Sequence, residues 1–330
     1  MFLKHFRVSR FKGFDTLTIN NLSPELNFIY GINGSGKTRL FDAIKFVQDC
    51  LTHDLKHAIL IRGGVEEVFG NNEFIRFDFG FQTMNALNIQ YQLEIGFDTS
   101  NGVFIKEEAV NWQVGDKTYH SVLYHSFNSI EFITNQNDVW CFGYEPMYST
   151  AQYAHNDIAL KFKIDDEFDV TSNLRKWVHD MFFIEPSATL KLYDEKSLIE
   201  LRSRVKDIFD FEIQTQNPNR LSKGQLSLLN SIAIQSIEGK SILSVDSPEQ
   251  HIHDDFLLLL AYEYLNYSKL NKTQVILFTG SKSMLDAVDI SNSYLIENES
   301  SSWSTITKLA NMVQISEKYN SGIAISKINF

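Results

Sequence analysis

The spacing of apolar and polar residues changes character several times along the chain. Residues 6–11 alternate, 17–19 follow, and Leu26, Phe28, Ile29 and Tyr30 form a short apolar run, so the first thirty residues predict two or three strands joined by turns. A glycine-rich stretch comes next. Residues 38–51 then place Leu40, Phe41, Ile44, Phe46 and Val47 mostly on one face of a helix. From 73 to 133 the period drops to two. Ile75, Phe77, Phe79 and Phe81 alternate with polar residues or glycine, as do Ile89, Tyr91, Leu93 and Ile95, and 103–105 continues in the same style. This predicts an antiparallel meander, whose aromatic stripe reads as one face of a packed sheet before it reads as a base-stacking platform.

Residues 134–170 are polar and aromatic without a clear period. Helical spacing returns over 172–183, 195–211 and 222–238. Residues 242–245 read as a short buried strand, 254–267 as a helix and 274–279 as a strand. There is no internal repeat and no low-complexity linker. The pattern is that of one α/β domain, begun at the N-terminus and finished after residue 210, with the middle inserted.

Composition narrows this. Of 330 residues, 43% are apolar and 22% charged, which rules out wholesale disorder. Thirty Lys+Arg against 41 Asp+Glu give a net charge of -11, which argues against a general binder of phosphate backbones and leaves a local basic groove open. Cys50 and Cys141 are isolated, so no zinc site of the usual spacing is expected and both thiols are expected reduced. Lys4, His5 and Arg7 interrupt the N-terminus too early for a signal peptide, and no run approaches the ~18 apolar residues of a membrane span. A cytoplasmic protein is expected.

The strongest chemical signal is Gly31-Ile32-Asn33-Gly34-Ser35-Gly36-Lys37-Thr38, a complete G-x-x-x-x-G-K-S/T between a strand and an amphipathic helix. Glycines let successive N–H groups turn inward onto an anion, and the helix N-terminus adds its partial positive charge. Lys37 is expected to reach the β- and γ-phosphates, and the Thr38 hydroxyl to ligate Mg²⁺.

Two later segments agree with this one. Asn33 to Lys37 resembles the version of the loop found in ABC and SMC-like ATPases; Leu221-Ser222-Lys223-Gly224-Gln225 resembles the ABC signature LSGGQ; and residues 242–246 read as a Walker B strand ending in Asp246. Ser222 is also a good helix N-cap in its own right. More closely, the chain resembles the compact OLD-like AAA-type ATPases of bacteria, relatives of the ATPase half of OLD proteins, of RecF and of SMC-like repair heads. The residues that carry this are Arg10-Phe11-Lys12-Gly13-Phe14, the loop at 31–38, Ile61-Arg62-Gly63-Gly64 with Val68-Phe69, and the run from Asp246 to His253, which fits D-E-P-E-x-x-L-H at all but two positions. The middle is matched only in style.

The resemblance implies an α/β P-loop NTPase of ABC-ATPase type, with an antiparallel β lobe and a helical subdomain inserted between Walker A and the signature. Residues 1–72 would be the first part of the core, 73–150 the lobe, 151–215 the helical subdomain and 216–330 the second part of the core. It implies ATP and Mg²⁺ sandwiched between two heads. Asn33, Gly34, Ser35, Gly36, Lys37, Thr38 and Asp246 would act from one head, with Thr38 and Asp246 holding the metal, while Ser222, Gly224 and Gln225 would act from the other. Lys12 is a candidate to approach the phosphates or an ordinary surface lysine.

Two departures fall on the hydrolytic machinery. Ser247 stands where the family places the glutamate that orients the attacking water, and a hydroxyl cannot take a proton as a carboxylate does. Gly280, within Thr279-Gly280-Ser281, stands where the family places a histidine. Either ATP is bound and hydrolysed slowly or not at all, the favoured reading, or Glu249, His251 or His253 takes over; Glu249 and His253 are the catalytic candidates. His251, His253, Asp254 and Asp255 form a dense polar cluster, read as a strand-to-helix junction and not as a metal site.

Nothing sustains ~3–4 heptads, so a head without coiled-coil arms is expected. The residues after Asp246 are used to finish the α/β core, so no fused nuclease is expected. Three functions stay open. One is an ATP-gated switch, dimerising with itself or a related head and acting on a separate effector in anti-phage defence or a toxin system. Another is a RecF- or SMC-like DNA-binding ATPase in repair, disfavoured by the acidic balance. The last is a nucleotide-insensitive scaffold.

Overall fold

A computed structural model describes residues 1–84, 86–99, 102–114, 117–126, 129–136, 139–142, 170–185, 195–213, 220–234, 237–298 and 304–330. In chain order the elements are β1 (Phe2–Ser9), β2 (Thr16–Asn20), β3 (Leu26–Tyr30), α1 (Lys37–Thr52), α2 (Leu55–Leu60), α3 (Val65–Phe69), β4 (Phe74–Gln82), β5 (Asn88–Asp98), β6 (Gly102–Val114), β7 (Lys117–Ser126), β8 (Ser129–Gln136) and β9 (Val139–Phe142). They continue with α4 (Val170–His179), β10 (Met181–Ile184), α5 (Glu195–Phe209), α6 (Lys223–Ala233), β11 (Ile242–Asp246), α7 (Asp254–Asn271), β12 (Gln274–Thr279), β13 (Ser293–Asn298), β14 (Ser304–Lys308) and α8 (Val313–Asn320). The chain divides into two compact units: Met1–Leu22, Asp42–Met181 and Asn298–Thr305 in one; Ser23–Phe41, Phe182–Glu297 and Ile306–Phe330 in the other.

The first unit is built on an eight-stranded sheet in the order β2-β1-β4-β5-β6-β7-β8-β9. The expected meander is present, and β1 and β2 join it. β1 pairs antiparallel with β2 on one side and with β4 on the other. Along β4, Ile75, Phe77, Phe79 and Phe81 are buried and the residues between them are not, which is the period of two written in the sequence. Phe6 of β1 lies opposite Phe79 with ring centroids 4.7 Å apart. Phe77 packs on Phe11 at 5.4 Å and stacks on Phe46 of α1 at 5.3 Å. Phe81 meets Trp177 of α4 edge-on, and the Trp177 indole donates to the Met1 carbonyl.

Behind α1 lies an ion network. The buried Arg62 guanidinium donates to Asp42 at 2.8 Å, to Asp49 at 2.7 Å and to the Ala58 carbonyl at 2.8 Å. The Lys12 ammonium lies 2.7 Å from the second Asp42 oxygen, and the Lys12 amide donates to the Val68 carbonyl. The family-like segments at 10–14, 61–64 and 68–69 thus meet one another and Asp42 of α1.

The second unit is built on a six-stranded sheet in the order β10-β11-β12-β3-β13-β14. β11, β12, β3 and β13 run parallel, in a register that aligns Asp246 with Phe278 and Phe278 with Ile29. Every residue of β3, β11 and β12 is buried, as expected of strands covered on both faces. Phe28, Leu243, Val245, Val275 and Leu277 share one core with Leu228 and Ile232 of α6, Leu257, Leu260 and Tyr264 of α7, and Val205 and Phe209 of α5. From the opposite face of β12, Phe278 meets Phe41 of α1 edge-on at 5.6 Å.

Two helix expectations need correction. The helix expected over 172–183 ends at His179, and Met181–Ile184 is a strand. That four-residue run is wholly apolar, a pattern shared by buried strands and buried helices, and its place beside β11 decides for strand. The helix expected over 222–238 runs Lys223–Ala233, with 235–236 outside the described residues. Of the region 134–170, residues 143–169 lie outside them too, and much of 151–215 with them. Among the described residues, no helix is long and apolar enough to cross a membrane.

Candidate functional site

In parallel sheets, ligand sites form beyond the carboxyl ends of the strands. Here the ends of β3, β11 and β12 lie side by side, and each continues into a segment singled out by the sequence. After β3 comes the loop 31–36. A Cβ on Gly31 would fall 2.5 Å from Ser35 Oγ and 2.6 Å from the Ile296 carbonyl oxygen, so glycine is required there by close approach. Gly34 and Gly36 sit at φ 83° and 104°, in the left-handed region that a side chain disfavours. The loop runs directly into α1, whose first residue is Lys37.

The Lys37 ammonium donates to the Gly31 carbonyl at 2.5 Å and the Ile32 carbonyl at 3.0 Å. Burial lowers its pKa, and the nearby Glu249 and Asp246 carboxylates oppose that shift. Ser35 Oγ is buried with no hydrogen-bond partner among the described residues. Thr38 Oγ1 donates to Asp246 Oδ2 at 2.8 Å, and Ser247 Oγ donates to Asp246 Oδ1 at 3.2 Å. Burial holds the Asp246 carboxyl above the ordinary carboxylate range. The two hydroxyl donors and Lys37 work against that shift, and the Glu185 carboxylate adds to it.

These residues fit a nucleotide with a divalent cation. The loop has the left-handed glycines of an anion cradle, a buried hydroxyl without a hydrogen-bond partner among the described residues, and a lysine whose hydrogen bonds there go to two carbonyl oxygens. Thr38 and Asp246 bring a hydroxyl and a carboxylate oxygen together, the hard donors that magnesium takes.

The segment after β11 is sharply turned. Ser247 and His251 have φ 52° and 66°, unusual for non-glycine residues, and the Ser247 amide donates to the Phe278 carbonyl at 2.8 Å. Glu249 faces the end of β12. Its Oε2 accepts from Thr279 Oγ1 at 2.8 Å and its Oε1 from the Gly280 amide at 2.7 Å. His253 is the N-cap of α7. Its Nδ1 accepts from the Asp255 amide at 3.4 Å, and its side chain is 73% exposed beside the Asp255 carboxylate. Among the described residues no group of three or more His, Cys, Asp and Glu has the arrangement of a metal site.

The signature-like segment forms a capping box. Ser222 Oγ accepts from the Gln225 amide at 3.2 Å, and Gln225 Oε1 accepts from the Ser222 amide at 2.9 Å. A Cβ on Gly224 would fall 2.5 Å from the His251 carbonyl oxygen, so this glycine lets the start of α6 approach the 246–253 turn of its own chain. The structure thus joins the phosphate loop, Asp246, Ser247, Glu249 and Gly280, and sets Gly224 against His251.

Two features escaped the sequence reading. Glu185 follows β10 and acts electrostatically on Asp246 at the end of the neighbouring strand. Its signal was an apolar run closed by an acid, the same shape as 242–246. The other is Asp42, whose ion pair accounts for Lys12.

Residues 26–138 match the family model described as "AAA domain, putative AbiEii toxin, Type IV TA system". The DNA replication and repair protein RecF of Symbiobacterium thermophilum is 34% identical over 77 residues, which span 23% of this chain and 20% of that protein. Among solved structures, the SMC head domain from Thermotoga maritima is 15% identical with TM-score 0.50, covering 93% of this chain and 99% of that one. The Smc head domain with an extended coiled coil from Pyrococcus furiosus, bound to the C-terminal domain of ScpA, is 11% identical with TM-score 0.51, covering 97% and 99%. At such identities the likeness is one of fold. The family model thus spans about a third of the chain, and the α/β fold with its phosphate loop resembles that of SMC heads. The resemblance drawn from the motifs is borne out.

Proposed function

We propose that this chain is an ATP-binding head that dimerises around ATP-Mg²⁺ and acts as a switch or scaffold for a separate effector. The observation that carries the reading is the junction of Lys37 and Thr38, at the start of α1 after β3, with Asp246 at the end of β11, the two strands flanking β12. There the loop 31–36 would cradle the phosphates, Lys37 would trade its two carbonyl partners for phosphate oxygens, and Thr38 and Asp246 would hold the metal. Magnesium, when bound, neutralises charge on the phosphates. Ser222, Gly224 and Gln225 act on the nucleotide of a second head, the Ser222 hydroxyl keeping its proton free to donate while it caps α6. The ATPase core is discontinuous: its six-stranded sheet takes β3 from before the antiparallel meander and β10 to β14 from after it.

Hydrolysis is slow or absent. Ser247 is an O–H donor to Asp246, so its hydroxyl is turned to the metal-side carboxylate. Glu249 is engaged by Thr279 and Gly280, and His253 is an exposed cap of α7, arrangements that support a structural role for each. A toxin or defence setting is suggested by the description of the matching family, and a separate partner subunit by the Smc heads bound to ScpA domains. The short RecF-like segment supports a second reading, a DNA-binding repair ATPase.

The test is a titration with a fluorescent ATP analogue and Mg²⁺, followed by size measurement with and without nucleotide. Wild type should bind and gain mass, and Lys37→Ala should bind at least about tenfold more weakly, the loss of a charge-assisted contact. Binding without any change of mass would leave a scaffold; salt-sensitive DNA binding would favour the repair reading.

A further inference from the structure

Glu249 lies two residues past the serine that replaces the family glutamate, and its carboxylate meets the turn in which glycine replaces the family histidine. The geometry at that turn is closed. Thr279 Oγ1 donates to Glu249 Oε2 at 2.8 Å, the Gly280 amide donates to Oε1 at 2.7 Å, and the Ser281 amide donates back to Thr279 Oγ1 at 3.0 Å. Thr279 is fully buried. Position 280 faces the phosphate loop: a Cβ there would lie 3.3 Å from Glu249 Oε1, 3.7 Å from the Gly31 carbonyl oxygen and 4.0 Å from Asn33 Oδ1. The same carboxylate acts electrostatically on Lys37.

We infer that Glu249 is a positioning residue whose two carboxylate oxygens clamp the Thr279–Gly280–Ser281 turn against the phosphate loop. It occupies the ground that a side chain at 280 would take. This rests on the nucleotide-binding reading above and adds to it a residue whose role is geometry and not proton transfer. Without the clamp, the buried Thr279 hydroxyl is left with the weakly accepting Met284 sulfur 3.6 Å away, the exposed Gly280 amide loses its carboxylate to water, and the turn is free to leave the loop. The clamp also reaches further along the chain. The turn leads straight into residues 283–287, where Asp286 accepts from the Ser326 amide and hydroxyl, and Lys282 donates to the Ile328 carbonyl. A turn fixed by Glu249 is therefore fixed at both of its ends.

Three variants test this. Glu249→Ala removes the clamp. Glu249→Gln keeps it, since the amide oxygen accepts from Gly280 N–H and the amide nitrogen donates to Thr279 Oγ1, but removes the charge and any capacity as a base. Thr279→Val removes one arm from the other side at constant volume. Two readouts are taken: hydrogen exchange of the 277–285 peptide in protein freed of nucleotide, and affinity for fluorescent ADP and a slowly hydrolysed ATP analogue. Exchange should speed up in Glu249→Ala and Thr279→Val and stay unchanged in Glu249→Gln. Affinity should fall about tenfold in the first two and stay within about twofold in the third. If Glu249→Ala fails to fold, Thr279→Val and Glu249→Gln still decide. Glu249→Gln as impaired as Glu249→Ala in both readouts overturns the clamp, as does wild-type exchange in Glu249→Ala and Thr279→Val. If wild type turns ATP over and Glu249→Gln loses that turnover with exchange and affinity intact, Glu249 is a base and the inference fails. Absence of any nucleotide binding by wild type overturns the ATP reading instead, and the exchange measurement still tests the clamp.

Discussion

The two sheets answer the same problem in different ways. In the antiparallel sheet, β4 buries every second residue and turns the rest outward, where Arg76 pairs with Asp78 and Glu94, Glu94 holds Lys106, and Arg10 lies 4.0 Å over the Phe74 ring. In the parallel sheet, β3, β11 and β12 bury every residue. A strand with two buried faces has no outward side on which to carry chemistry, so, beyond the buried Asn27 and Ser244, its reactive groups gather where the strand stops. Asp246, Thr279 and the loop after Tyr30 are those stops. The difference teaches where to look: faces for charge networks, strand ends for a ligand.

The sharpest way to break this comparison is to substitute neighbours. Ile276→Ala and Leu277→Ala, adjacent on β12, should each destabilise by about 2–5 kcal/mol in chemical denaturation, because both faces are packed. On the antiparallel sheet the same test should split: Phe77→Ala costs about 3–5 kcal/mol, while Gln90→Ser, on an exposed position of β5, stays within about 0.5 kcal/mol. Equal costs at Phe77 and Gln90 would refute a one-sided sheet.

A smaller effect is expected at the start of α6. Gly224→Ala places a methyl 2.5 Å from the His251 carbonyl oxygen and should destabilise by about 1–3 kcal/mol, read from the shift of the thermal or denaturant midpoint. An unchanged midpoint would show that the two segments part without cost.

The smallest effect concerns alkaline pH. Burial pushes the Tyr264 phenol up to about 12, against an unfolded value of about 10. Between these values the unfolded chain has lost the proton and the folded one keeps it, so stability present below pH ~10 falls by about 1.4 kcal/mol per pH unit as pH rises towards 12. Tyr264→Phe should flatten that part of the pH–stability profile. An identical slope in the variant would refute the assignment.

How much of this the chain disclosed follows from how local each feature is. The phosphate loop is eight consecutive residues whose spacing states their purpose, and the alternation of 74–81 survives in the structure residue for residue. β1 was legible as a strand but not as a member of the antiparallel sheet, because its partner on β4 lies some seventy residues away and Phe6 names no preference for Phe79. β10 was misread because four apolar residues carry too little period to separate helix from strand. The clamp was invisible because its halves lie thirty residues apart, and Gly280 read as a loss of chemistry when it makes room for another residue's carboxylate. Glu185 was passed over because an acid after a short apolar run reads as an ordinary strand end until the neighbouring strand is known.

The lysine of the phosphate loop leads to one more consequence. Because the Lys37 ammonium is already held by the Gly31 and Ile32 carbonyls, any anion that takes it must trade against two peptide dipoles. Chloride brings one charge and loses its water shell, so the exchange gains it little. A polyphosphate brings several charges and satisfies the loop amides in the same step. On the nucleotide-binding reading, the site would thereby discriminate by valence before any base or sugar is met.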